Sequence, residues 1–590
     1  MHTSRSRTAS LLLALLLVLS SVATSAQAQE REAAEVPVSF CPWNSHDFAP
    51  DATPYTSAPS LEVASAFMNI RITTSNRFHT ECSIAVNPKD SLNMIVEEID
   101  GNFPENGIYV SRDGGATWHA SLLPSESGLF SNGDPWVTFD ANGIAYACQL
   151  QSGFGVHLRL PVYRSSDNGE TWTVDAHMMD YGALDTTADE PVLGIDRNAA
   201  SPYFNSLYAM TASQGQIPFL GAGPVGIHLQ FRRAGASILS AQAKTSQIGL
   251  AQVPHFTFGL HGEIYIAYIG ITDILNLGGG LYFNASTDGG ATWSKDLVIA
   301  ASNYTDTIKG FPKQGSPLPA SRMGPTPRIV IDTSNGPRRG WLYVAYAMPA
   351  SADHKQNLDI FMQRSTDGGV NWSQAVRVND DPIASLNDQL TPCLAINPDG
   401  VLGVVFYDRR DDPNNFLLQT YIAISSDGGT TWANQRLSSA STDPMAARKQ
   451  ISLAVADYIS IAATRSAFYP IWNDGRKNNG DLDTYIARVP IGTAGAAGAA
   501  ATATTGPSIS IYPNPLVDAS HIAFEAKRGE RVHFGIYDVL GREVMKLNDI
   551  VATGSNQTFA LDVNSLPAGT YLLRSDAGGV RASVRFVKMR

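Results

Sequence analysis

Carboxylates and arginines gather at a few recurring places in this 590-residue chain. Glu81, Asp134 and Glu190 stand just ahead of short apolar stretches. Glu97, Glu98 and Asp100, the run Tyr407-Asp408-Arg409-Arg410, and the run Trp472-Asn473-Asp474-Gly475-Arg476 stand at the far ends of others. Brought together, such side chains have three chemistries open to them. Carboxylates accept hydrogen bonds from sugar hydroxyls or hold a cation such as calcium. Two carboxyl groups roughly 5–10 Å apart can work as acid and base, or acid and nucleophile, on a glycosidic bond. The guanidinium groups of Arg409, Arg410 and Arg476 can grip a carboxylate through two charge-assisted hydrogen bonds. The competing role is structural, with Asp–Arg pairs tying neighbouring elements together. Histidines are scattered without zinc-ligand spacing, so no metal centre and no cofactor is implied.

The elements that carry these residues repeat. An apolar strand ending in an Asn/Asp/Gly turn and followed by a Tyr/Val-rich strand begins at Cys82, Pro135, Pro191, His255, Arg328, Cys393 and Ile451. The copies lie about 61 residues apart, a length suited to a four-stranded unit with an insertion. Between them stand five copies of a shorter pattern, Ser111-Arg-Asp113-Gly-Gly-Ala-Thr117-Trp118, Ser165-Ser-Asp167-Asn-Gly-Glu-Thr171-Trp172, Ser286-Thr-Asp288-Gly-Gly-Ala-Thr292-Trp293, Ser365-Thr-Asp367-Gly-Gly-Val-Asn371-Trp372 and Ser425-Ser-Asp427-Gly-Gly-Thr-Thr431-Trp432. Physically this is a hairpin turn: Asp accepts turn amides, Gly takes positive φ, and Trp packs beneath.

The five copies resemble the Asp box of sialidases and other propeller proteins. The resemblance implies an all-β chain, a sialidase-like β-propeller over residues 61–490, with Asp113, Asp167, Asp288, Asp367 and Asp427 as turn residues away from the active face. Seven repeats favour seven blades over the six of true sialidases. The seventh repeat lacks a fourth strand, and the segment from Ala66 to Thr73 is expected to supply it and close the ring. In that geometry the starts of first strands and the ends of second strands meet at one end of the central channel. Glu81, Asp134, Glu190, Asp408 and Asp474 would then form an acidic arc facing Arg409, Arg410 and Arg476. Sialidases carry an arginine in an F/Y-R-I-P motif on the first such strand. Here Thr80-Glu81-Cys82-Ser83 stands in its place, and Ile70-Arg71-Ile72 lies in the closing segment.

The termini speak of export. Basic residues, an apolar run from Leu11 to Leu19 and the triplet Ala26-Gln27-Ala28 read as a signal peptide over residues 1–28, followed by an N-terminal extension over 29–60. No later stretch is long enough and apolar enough to span a bilayer. A formal net charge of −12 with no basic stripe argues against nucleic acid as a partner. Four cysteines, Cys41, Cys82, Cys148 and Cys393, are expected as unpaired buried thiols. Residues 491–507, rich in Ala, Gly and Thr, read as a linker. Beyond it, Ile511-Tyr-Pro-Asn-Pro515, the segment from Gly535 to Val544, the segment from Ser565 to Leu572 and the terminal strand resemble the C-terminal sorting domain of the type IX secretion system. This implies a small β-sandwich over residues 508–590, recognised by the secretion machinery, and a protein that is secreted or held at the outer cell surface. Two functions stay open for the propeller. It binds extracellular glycan or protein without sialidase activity, or it is a glycoside hydrolase of sialidase-like fold, or a lyase, working on extracellular polysaccharide.

Overall fold

The computed structural model describes the chain from Ser65 to Lys588. Outside it fall residues 1–64, 589–590 and the internal segments 74–77, 101–105, 125–129, 154–155, 182–187, 215–224, 274–277, 304–325, 350–357, 383–384, 386, 444–457, 478–480, 492–508, 513–518, 526–528, 539–541, 548, 554–555 and 578–579. The expected signal peptide, N-terminal extension, Cys41 and nearly all of the linker therefore lie outside the described residues. The chain divides into two compact units, one through Thr493 and one from Ala494.

The first unit is a β-propeller. Among the described residues it holds seven antiparallel sheets, six of four strands and the seventh of five, and their first strands run His79–Val86, Phe130–Phe139, Ala188–Ile195, Leu250–Phe258, Arg328–Ile331, Gln389–Ile396 and Ser460–Ala463. Each first strand packs against the first strands of the sheets before and after it, and the seventh packs against the first, so the ring is closed. Second strands such as Met94–Asp100, Leu402–Asp408 and Ala467–Asp474 are buried along their whole length. Both of their faces meet neighbouring sheets, which is why Leu402–Asp408 and Ala467–Asp474 read as near-continuous apolar runs.

Closure follows the expected route. Ile70–Arg71 pairs antiparallel with Asp483–Ile486, Ile70 opposite Ile486 and Arg71 opposite Tyr485. The Arg71 guanidinium reaches Asp483 at 2.6 Å, and Ile72 N–H donates to Thr484 O at 2.8 Å. The strand is shorter than the sequence suggested, two residues rather than the stretch from Ala66 to Thr73. The first described strand of the seventh repeat is Ser460–Ala463, and the strand expected to begin at Ile451 falls on residues 451–457, which lie outside the described residues. Ser460 to Ala463 pairs antiparallel with Phe468 to Ile471, as the other first strands pair with their second strands.

The Asp boxes repeat the same Ser–Asp–Gly turn five times, with the indole bond to the Gly carbonyl in those of Trp118, Trp172 and Trp372. In the first, Asp113 accepts Thr117 N–H at 2.9 Å and the Thr117 hydroxyl at 2.6 Å, Ser111 Oγ accepts Gly115 N–H at 2.9 Å, and Trp118 Nε1 donates to Gly115 O at 3.1 Å. Gly115 sits at φ 86°, where a Cβ would strain the turn. Asn371 replaces threonine without loss, its amide donating to Asp367 at 2.7 Å. Sheet 3 has no box. Arg233 stands in the corresponding turn between the rings of Tyr203 and Phe231, at 4.1 and 3.9 Å, and donates to Gly289 O in the box of sheet 4. Cys82, Cys148 and Cys393 are buried free thiols.

The second unit is a two-sheet sandwich. One sheet orders the strands Ile509–Tyr512, Ala519–Glu525 and Asn556–Asp562, and the other is built on Arg531–Asp538 between Glu543–Lys546 and Gly569–Ala577, with Val580–Lys588 outermost. Phe524, Phe534 and Phe559 pack edge to face at its centre.

Candidate functional site

The first strands share a defect that builds the site. In five of them the pairing with the second strand slips, between Thr80 and Ser83, Gly133 and Trp136, Asp189 and Val192, Gln252 and His255, and Leu390 and Cys393. Each slip holds one residue in the left-handed region: Glu81, Asp134, Glu190, Val253 and Thr391, at φ between 47° and 54°. Such a conformation in a non-glycine residue costs on the order of 1 kcal/mol or more, and bulges re-aim side chains. Repeated in sheets 1 to 3, the bulge turns three carboxylates toward the ring axis.

Counting two and four residues on from each bulge, and taking the matching positions of sheets 5 and 7, gives the next layers of the channel. The second layer holds Ser83, Trp136, Val192, His255, Arg328, Cys393 and Ser460. The third is small: Ala85, Thr138, Gly194, Thr257, Val330, Ala395 and Ala462. In this register Tyr458 of sheet 7 stands level with the carboxylates.

The axial groups touch across the ring. Asp134 accepts Glu190 N–H at 3.0 Å and is hydrogen-bonded to Glu81. The Tyr458 hydroxyl donates to Pro135 O of sheet 2 at 3.2 Å. Trp136 lies 5.8 Å from the ring of His255 and 6.2 Å from that of Tyr458, and the Arg328 guanidinium faces both Trp136 and Tyr458 at 5.8 and 5.9 Å. Trp136 therefore plugs the channel, braced by sheets 4, 5 and 7. Ile329 N–H donates to His255 Nδ1 at 3.3 Å, so that nitrogen carries no proton.

Electrostatics follow from burial. Desolvation raises the Asp134 carboxyl to about 8, with the Asp189 charge adding to the rise and the bonds from Glu81 and Glu190 opposing it. Burial and then the charges of Glu81, Asp134 and Glu190 push the Tyr458 hydroxyl well up. Burial and the Arg328 charge push His255 well down, which keeps the imidazole neutral. Glu81, Asp134, Arg328 and Tyr458 are buried, while Asp189, Glu190, Trp136 and His255 keep partial exposure.

The structure thus brings together Glu81, Asp134 and Glu190 but gives the other predicted site residues different company. Arg409 is fully buried, bonded to Asp388 at 3.3 Å and to Asn415 O at 3.0 Å. Arg410 is held by Asp408 at 2.7 Å and by Asp380, and lies over the Tyr421 ring at 4.4 Å. Arg476 clasps Asp474 at 2.6 Å, reaches Ser439 and Asn69, and lies over Tyr485 at 4.0 Å. These contacts correct the picture of an acidic arc facing a ligand-gripping set of arginines: Asp408 and Asp474 are the counter-ions of their own neighbours. Burial moves Asp408 up to about 6 against the pull of Arg410. Glu97, Glu98 and Asp100 lie inside a buried strand rather than after it, and Glu98 pairs with His79 at 2.8 Å.

Sequence reasoning missed Arg328, Trp136 and His255. The signal was available, because Arg328 and His255 open their copies of the long repeat and Trp136 stands second in its own. Among the described residues no group of three or more His, Cys, Asp or Glu side chains is placed to hold a metal ion.

Comparison with known proteins bears on the two units separately. Residues 510–589 match the family model described as secretion system C-terminal sorting domain. The C-terminal unit is a secretion sorting domain. It directs the protein through type IX secretion to the cell surface or the extracellular space, and no helix among the described residues is long and apolar enough to cross a membrane. Upstream of the sorting domain, residues 109–120 match the BNR/Asp-box repeat. Comparison with curated proteins finds no match. Among solved structures, an α-L-arabinanase of Penicillium chrysogenum complexed with arabinobiose is similar at 12% identity and a TM-score of 0.38, over 73% of this chain and 98% of that one. A leech intramolecular trans-sialidase is similar at 11% identity and a TM-score of 0.38, over 66% and 70%. A Dyadobacter fermentans protein of unknown function is similar at 11% identity and a TM-score of 0.38, over 73% and 99%.

Proposed function

We propose that this exported propeller binds an extracellular glycan at the axial end where Glu81, Asp134 and Glu190 converge. The observation that carries the reading is the convergence itself. Three strained carboxylate positions from successive sheets stand beside a partly exposed Trp136 that blocks the channel. A flat aromatic surface flanked by carboxylate acceptors suits the alternating C–H faces and hydroxyl edges of a sugar ring. The sorting domain delivers the site to where such glycans are met. A glycan array probed with the full exported chain tests this. Binding to one glycan class, weakened at least about tenfold in Glu190→Gln and in Trp136→Ala, is the expected result.

A second reading, hydrolysis, is favoured by the proton that Asp134 keeps up to about pH 8 beside Glu81. A protonated carboxyl is what a glycosidase needs for its general acid. The partner base or nucleophile has to stand about 5–10 Å away, so a carboxylate across the axis such as Glu190, rather than the hydrogen-bonded Glu81, would take that role. Release of reducing ends from a polysaccharide panel, abolished in Asp134→Asn, would move the function from binding to catalysis. Sialic acid release is not expected under either reading. Glu81 occupies the strand position where a sialidase needs an arginine, and a carboxylate there repels the substrate's own.

A further inference from the structure

The ring closes at a seam between sheets 7 and 1, where the outermost strand, Ile70–Arg71, has only two residues. The two sheets are stitched together through one histidine. His79 N–H donates to Leu482 O at 3.0 Å, and the Asn473 side-chain amide donates to His79 O at 3.3 Å. The imidazole Nδ1 lies 2.8 Å from Glu98 Oε1, and both side chains are fully buried. The other Glu98 oxygen accepts the Thr484 hydroxyl, whose own oxygen accepts the Asn473 amide at 3.0 Å. Asn473 O in turn accepts the Tyr407 hydroxyl of sheet 6 at 2.9 Å. One run of buried polar contacts therefore joins sheets 1, 7 and 6, with His79 at its head.

Three carboxylates face the imidazole: Glu98 and Asp100 from the second strand of sheet 1, and Asp483 from the third strand of sheet 7. Asp483 has cations of its own, Arg71 at 2.6 Å and Lys477 at 2.9 Å. Of the acids on the other elements packed here, Asp474 is clasped by Arg476, and Asp134 of sheet 2 is bonded to Glu81 and to Glu190 N–H. Among the described residues the charge on Glu98 is thus met by His79 alone. Burial pulls the imidazole down, but the charge and bond of Glu98, with the charges of Asp100 and Asp483, outweigh it and leave His79 above the ordinary histidine value.

We propose that His79 is a proton-operated latch on this seam. Protonated, it meets the buried Glu98 charge, and Glu98 holds Thr484 of sheet 7. Losing the proton leaves a buried carboxylate without its counter-charge, which is strongly unfavourable. The seam relieves it by fraying, since a two-residue edge is the easiest element of the ring to open. A histidine raised in the folded state stabilises fully below its unfolded value of about 6.5, and that contribution is lost as pH rises through the raised value. The exported ring is firm in mildly acidic surroundings and loosens at its seam in alkaline ones.

Hydrogen–deuterium exchange of the full chain between about pH 6 and about pH 9, corrected for base catalysis of exchange itself, tests this. Peptides covering Ile70–Arg71 and Asp483–Ile486 report the seam, and one covering Ile264–Asp273 in sheet 4 serves as reference. The parent protein is Asp134→Asn, so that the axial carboxyl does not titrate in the same range. Seam protection is expected to fall about tenfold or more as pH rises while the reference stays constant, and His79→Gln is expected to show weak seam protection at every pH. Seam protection that is independent of pH, that falls in step with the reference, or that keeps its pH dependence in His79→Gln would each overturn the latch. The titration of the parent protein decides the matter by itself if His79→Gln folds poorly.

Discussion

Asp134 holds two jobs that pull in opposite directions. Its carboxyl accepts the Glu190 amide, joining sheet 2 to sheet 3, yet its burial makes ionisation costly and lifts it to about 8. A carboxyl raised in the folded state stabilises fully below its unfolded value near pH 4, and that contribution fades as pH rises through about 8. Asp134→Asn keeps an acceptor for Glu190 and removes the titration. Between pH 5 and pH 8 the variant should gain stability relative to the wild type, on the order of a few kcal/mol at the upper end. Thermal unfolding across that range checks it, and a constant difference between the two proteins would contradict it. The Asp boxes behave in the reverse sense. Asp288 accepts Thr292 N–H at 2.8 Å and the Thr292 hydroxyl at 2.6 Å, and these bonds, offset in part by desolvation, hold it below the usual carboxylate range. Its contribution is present at neutral pH and lost as the solution is acidified through its lowered value. Because the turn is exposed, Asp288→Asn should cost only about 1 kcal/mol in denaturant melts and leave ligand affinity unchanged.

At the scale of elements, closure of the ring depends on a strand far away in sequence. Ile70–Arg71 covers the free edge of Asp483–Ile486, and removing it exposes that edge in a sheet packed between sheets 6 and 1. Deleting residues 29–75 should therefore drive the protein into aggregates, while deleting residues 29–55 should leave its melting temperature unchanged. Light scattering and thermal melts distinguish the two, and a monodisperse product of the longer deletion would refute the closure. This closure was legible in the sequence because the seventh repeat visibly lacks a strand. Box turns were legible too, since Ser, Asp, Gly and Trp each have one physical task there. The bulges were not. A residue at positive φ inside a strand is normally marked by glycine, and Glu81, Asp134, Glu190, Val253 and Thr391 share no residue type that would announce it. Without the bulge the axial layers could not be counted, so Arg328 and Trp136 went unassigned. The arginines of the second-strand ends, conspicuous in the sequence, proved to be bound to their own aspartates.

The whole molecule joins a binding scaffold to an address. The sorting domain has its own aromatic core, separate from those of the propeller, so removing residues 508–590 should leave the propeller folded and confine it to the periplasm. Cell fractionation checks this, and normal appearance of the truncated chain outside the cell would contradict the role of the domain. The central claim is that the carboxylate end of the axis is a glycan site. It is tested most directly by calorimetric titration of the array-identified glycan against wild type, Glu190→Gln, Trp136→Ala and, as a control, Asp288→Asn. The account predicts at least a tenfold loss of affinity, about 1.4 kcal/mol, in the first two variants and none in the control. Equal affinity in all four proteins would contradict it.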